Sequence, residues 1–160
     1  MTWLPGVAGG RDLDAALALR PDVRDAFADL YDHLWETTDP QLLEVCRLRI
    51  AQLLRCDTEL RVREERAGLA EAKVAALAAY PSSPLFTDRE RACLAYAERV
   101  CADAGGLTDD EVAAVRRHLS EAELVALTTA LTVFESFQRA LLLLGVTGGP
   151  ERRRGLRAVS

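Results

Sequence analysis

The chain has 160 residues, 49% hydrophobic and 28% charged, with 20 basic residues against 25 acidic ones and a net charge of −5. That length and balance describe one folded domain that needs no disulfide or metal staple. They exclude a generally basic nucleic-acid surface. No apolar run approaches the roughly 20 residues of a membrane span, since Leu141–Leu144 ends at Gly145. The opening Met1-Thr2-Trp3-Leu4-Pro5 lacks the charged start and apolar stretch of a secretory signal. A cytoplasmic protein is therefore expected, with neither a nucleic-acid nor a membrane partner. Its four cysteines, Cys46, Cys56, Cys93 and Cys101, are expected to be reduced, and none forms a C-x-x-C clip.

In chain order, residues 1–20 read as an arm with a short helix over about 11–19. A second helix starts near Pro21, where Val23, Phe27, Leu30, Tyr31 and Leu34 recur at helical spacing. Asp39 and Pro40 have the chemistry of an N-cap and a first helical residue. The helix they open runs to about Arg55. Its apolar surface is so wide that it should be packed on several sides. A polar helix follows over about Asp57–Ala67, closed by Gly68, and then an Ala-rich helix over about 70–79, stopped by Pro81. Thr87 with Glu90, Thr108 with Glu111 and Ser120 with Glu123 each fit a capping box. They open helices to about Ala104, to near His118 and to Leu144. The Arg-rich stretch 147–160 reads as a flexible, solvated tail. The fold expected is one all-α domain over 21–146 built on a central helix hairpin.

The segment Leu43-Glu44-Val45-Cys46-Arg47-Leu48-Arg49-Ile50-Ala51-Gln52, continuing to Cys56, resembles the alkylhydroperoxidase D-like, or carboxymuconolactone decarboxylase, family. That family has a helix of the form E-L-V-x-L-R-x-S-Q-x-N leading into C-x-x-C-x-x-x-H. The likeness continues through Gly68–Lys73 and is strongest over Ser83–Ala92. It resumes over His118–Val125 and ends at Phe137-Gln138-Arg139. It implies an all-α AhpD-like fold that forms homo-oligomers, commonly trimers or hexamers, with a dimer as the smaller option.

Set on that pattern, Glu44 takes the place of the upstream acid and Cys56 that of the first cysteine. Glu59 stands where the family has its second cysteine, and Arg63 where it has histidine. Reducing a peroxide through a dithiol needs one thiolate to attack and a second thiol to resolve the sulfenic acid. A carboxylate at 59 does neither, and its charge opposes the Cys56 thiolate, whereas Arg63 would favour it. Cys46 as a substitute resolver requires a break in the helix between it and Cys56, because ten helical residues rise about 15 Å.

Cys56, Glu59 and Arg63 lie at i, i+3 and i+7 and share one face if all are helical. Glu59 and Arg63 then make either a surface ion pair or the base and anion-binding group of a buried cavity. Glu44 either pairs with Arg47 at i+3 or faces that cavity. Arg139 fits an ion pair with Glu135. His33 and His118 are separated and read as structural, so no protein-built zinc site is expected. No cofactor is expected, and no phosphate-binding loop or serine-hydrolase motif is present. Cys93 and Cys101 read as small core residues, and Phe134 and Phe137, with Leu131 and Leu141, as a core or subunit-contact stripe.

The candidate site is thus Glu44, Cys56, Glu59 and Arg63. The function expected is acid–base chemistry on a small organic anion, of the lactone or β-keto acid type that the decarboxylase branch suggests. The alternatives are a thiol-dependent peroxidase-like oxidoreductase using Cys56, and a non-catalytic helical oligomer or small-molecule binder.

Overall fold

The structure is a computed structural model, and it describes Leu4, Val7, residues 13–148, Arg152, Arg153 and Leu156. Most of the N-terminal arm, and Arg154 and Arg157 of the tail, lie outside the described residues. The helices are α1 (Leu13–Leu17), α2 (Pro21–Thr37), α3 (Pro40–Leu54), α4 (Asp57–Arg61), α5 (Glu71–Ala75), α6 (Asp88–Asp103), α7 (Asp109–Arg116) and α8 (Glu121–Leu144). Helix α3 is the axis of the molecule, packed between α6 and α8 with α2 on a further side. Its Leu42, Leu43, Val45, Cys46, Leu48, Ile50 and Ala51 are all buried. This accounts for its wide apolar surface. Aromatic rings fill the seam between α2 and α8: Phe27 stacks on Phe137 at 5.4 Å between centroids, and Tyr31 meets Phe134 edge-on at 5.6 Å. By length and composition α8 could cross a membrane, yet Leu127, Leu131, Phe134 and Leu141 along it lie in the protein core.

The helix boundaries follow local chemistry. Asp39 caps α3 by accepting from the backbone N–H groups of Gln41 and Leu42, and Pro40 occupies the first turn. The three capping boxes at Thr87, Thr108 and Ser120 are all formed. Helix α3 ends in a Schellman turn. Arg55 adopts a left-handed conformation (φ 56°), and the Cys56 N–H reaches back to the Ala51 carbonyl at 2.9 Å.

Three stretches depart from the sequence expectation. The polar helix expected over 57–67 stops at Arg61. Val62 is extended, Arg63–Glu64 form a short strand β1, and a 3-10 turn covers Glu65–Ala67 before left-handed Gly68. The Ala-rich helix divides into α5 and a 3-10 turn over Leu77–Ala79. The tail, expected to be loose, supplies strand β2 (Arg152–Arg153), which pairs in parallel with β1. Leu156 beyond it is buried, and its N–H bonds Asp32 at 3.2 Å.

Candidate functional site

A single guanidinium organises the family-like region. Arg47, fully buried in the middle of α3, donates from Nε and Nη2 to the two oxygens of Glu44, both at 2.8 Å. Its Nη1 donates to the Glu59 carboxylate at 2.7 Å and to the Glu59 carbonyl at 3.0 Å. Nη2 also donates to the Val62 carbonyl at 2.8 Å. Glu44 accepts a further bond from the Glu64 N–H at 3.1 Å. Glu44, Arg47, Glu59 and Glu64 are each no more than 2% exposed. Burial by itself would lower the guanidinium's pKa; Glu44 and Glu59 outweigh it and hold the pKa well above its ordinary value.

This network explains why the polar helix breaks. Had residues 62–64 continued as helix, the carbonyl of Val62 would be turned along the helix axis. Instead it points at Arg47, and the Glu64 N–H points at Glu44. Charged hydrogen bonds in a dry interior are worth more than two residues of helix propensity. The network extends outward. Arg66 donates to Glu64 at 3.0 Å and to Asp32 at 2.9 Å. On the far side the Gln138 amide of α8 donates to the Arg47 carbonyl at 3.0 Å.

The structure therefore re-sorts the candidate residues. Cys56, Glu59 and Arg63 do not share a helical face, because α4 ends before Arg63. The expected Glu59–Arg63 pair is absent: Glu59 bonds Arg47, and Arg63 bonds Glu71 at 2.9 Å. Glu44 does pair with Arg47, as its i+3 spacing allowed. Glu44 and Arg63 nevertheless line one cavity of about 280 Å³, together with Glu64, Glu65, Gly68, Leu69 and Glu71. Arg139 bonds Glu135 at 2.8 Å, and His33 and His118 are exposed. Among the described residues no group of three or more His, Cys, Asp or Glu side chains is placed to hold a metal ion.

Cys56 is 1% exposed, at the N-cap of α4. Burial pushes its thiol pKa up. A hydrogen bond from the Glu59 backbone pulls the other way, the Glu59 and Asp57 carboxylates add to the rise, and Arg47 opposes them. The opposing cation is thus Arg47 and not Arg63. Cys46 cannot resolve this sulfur. It sits inside the unbroken part of α3, five residues or about 7.5 Å of rise before Ala51. The Schellman bond places Cys56 past the Ala51 carbonyl. The two thiols are therefore separated by more than the span of a disulfide.

Arg47 is the site residue that sequence reasoning treated only as a neighbour of Glu44. The available signal was an arginine in an otherwise apolar helix, where a buried cation demands carboxylates on more than one side. Glu64 and Gln138 gave no local sign, since their contacts close over distances of 20 and 91 residues.

No family model and no curated protein matches this sequence. Solved structures do resemble it. A protein of unknown function from Agrobacterium tumefaciens, proposed as an antioxidant defence protein AhpD, superposes with a TM-score of 0.75 and 21% identity, over 84% of this chain and 95% of that one. An uncharacterized peroxidase-related protein from Ralstonia eutropha JMP134, described as an alkylhydroperoxidase AhpD core, gives 0.73 and 20%, over 86% and 76%. A peroxidase-related protein from Silicibacter sp. TM1040 gives 0.75 and 14%, over 89% and 78%. The fold is AhpD-like. The α3–α4 junction of this chain carries one thiol, Cys56, beside the Arg47 ionic network.

Proposed function

We propose that this chain is a non-redox AhpD-like protein that carries out acid–base chemistry on a small organic anion. The observation that carries the reading is that Glu44 and Arg63 line one cavity, while Cys56 is buried and does not line it. Arg63 would hold the anion. Its partner Glu71 has a side chain 71% exposed, and so open a pair is worth under about 1 kcal/mol, which a substrate carboxylate can displace. Glu44 would take or return the proton. Because Arg47 is shared, it keeps Glu59 as its counter-ion while Glu44 is protonated. Lactone carboxylates and β-keto acids are the substrate classes suggested by the decarboxylase side of the sequence resemblance. A panel of both, followed by proton NMR, tests the reading. Turnover should fall at least 100-fold in Glu44→Gln and Arg63→Gln, roughly the value of a general base. A panel left untouched by the wild type refutes it.

A second reading is favoured by the completeness of the network. Both oxygens of Glu44 already have partners, and a structural element needs no substrate. On that reading the chain is a non-catalytic helical binder or scaffold. The thiol route is disfavoured by the buried, protonated Cys56, since the thiolate is the nucleophile. Hydroperoxide consumption with a dithiol donor should be equally absent from the wild type and from Cys56→Ser. We also infer self-association, supported by the exposed Val125, Leu142 and Leu143 on α8. A 17.5 kDa particle in light scattering at micromolar concentration argues against it.

A further inference from the structure

A second cavity, sharing no residue with the one beside Glu44, lies between α1, α2 and the C-terminal half of α8. It measures about 250 Å³ and is walled by Leu17, Phe27, Phe137, Leu141 and Leu156, with Arg24 at its edge. Its origin is local. Ala16, Ser136 and Ala140 face the gap, and side chains this small leave it open. The walls offer almost no polar group, so water has no partners there. An empty apolar hole lowers stability in proportion to its volume. An apolar cavity of about 150 Å³ accommodates benzene, and the same packing extends to roughly ten carbons here.

The cavity itself has almost no polar surface, so the guanidinium of Arg24, whose side chain is 30% exposed, lies at its mouth and not inside it. The Nε of Arg24 donates to Asp25 at 2.8 Å, and Asp22 is engaged by Arg20. Among the described residues, the two terminal nitrogens of Arg24 make no hydrogen bond. An apolar chain with an anionic head satisfies both features at once. We propose that this cavity binds an unbranched medium-chain carboxylate, its tail between α2 and α8 and its head against Arg24. The proposal is independent of the acid–base reading.

Titration calorimetry with hexanoate, octanoate, decanoate and decanol tests it on the full chain. Binding should be one to one, with affinity rising about fourfold per CH₂ added. Ala16→Phe fills the cavity and should abolish binding while its circular dichroism stays that of the wild type. Ala140→Leu, which narrows the cavity from the α8 side, serves if that variant does not fold. Arg24→Gln should weaken decanoate about fivefold and leave decanol unchanged. Three results would overturn the proposal. One is no saturable binding of decanoate or decanol at millimolar concentration, and another is an affinity indifferent to chain length. The third is a wild-type oligomer that Ala16→Phe splits, which would mean that a second copy covers the cavity.

Discussion

At the scale of single residues, Arg47 decides the character of the site. Removing one partner from a buried ionic cluster leaves uncompensated charge, whereas replacing the whole cluster by apolar groups is often neutral. Arg47→Leu is therefore expected to destabilise the chain by about 3–5 kcal/mol in urea unfolding. The triple change Glu44→Leu, Arg47→Met, Glu59→Leu should recover most of that loss. If the single variant is as stable as the wild type, the cluster is not what holds α3 to α4. Only half of this was legible in the sequence. Glu44 and Arg47 are three residues apart on one helix, and that contact follows from spacing alone. The Glu59 contact spans a helix end, and Glu59 had an equally well-spaced partner in Arg63. Nothing local distinguishes the two, because the choice is made by burial.

At the scale of elements, capping chemistry carried most of the information. Asp39, Thr87, Thr108 and Ser120 cap the helices that the sequence assigned to them, because a cap is a contact of two or three residues. Asp39→Ala and Thr87→Ala should each cost about 1 kcal/mol in denaturant unfolding. Thr87→Ala removes the hydroxyl that accepts from the Glu90 N–H and donates to its carboxylate, while the Thr87 N–H bond to that carboxylate survives; Asp39→Ala removes the acceptor of the Gln41 and Leu42 N–H groups. The stretch after Arg61 was illegible for the opposite reason. Residues 62–67 are compatible with helix, and they are drawn out of it by Arg47 and by pairing with Arg152–Arg153, both remote in the chain. A loss well below about 1 kcal/mol in Asp39→Ala or Thr87→Ala would show that its cap contributes nothing to stability.

At the scale of the whole molecule, buried and partly buried thiols make stability fall at alkaline pH. Burial raises Cys93 and Cys101 to about 11 from an ordinary value of 9.0. Between pH 9 and 11 the unfolded chain releases these protons while the folded chain keeps them. The unfolded state then binds fewer protons, so stability is complete below pH 9 and falls as pH rises. Cys93, with no exposed surface, should account for roughly 2 kcal/mol of that loss by pH 11. Unfolding free energies measured across this window should flatten in Cys93→Ala; an unchanged slope would contradict the assignment. Thr58 and Arg61 bond the carbonyls of Val146 and Thr147, and Gln138 bonds that of Arg47. On a translating ribosome these contacts cannot form until residues through 147 have cleared the exit tunnel. Helix α3 thus leaves the ribosome before α6 and α8, the helices that cover it, have been made.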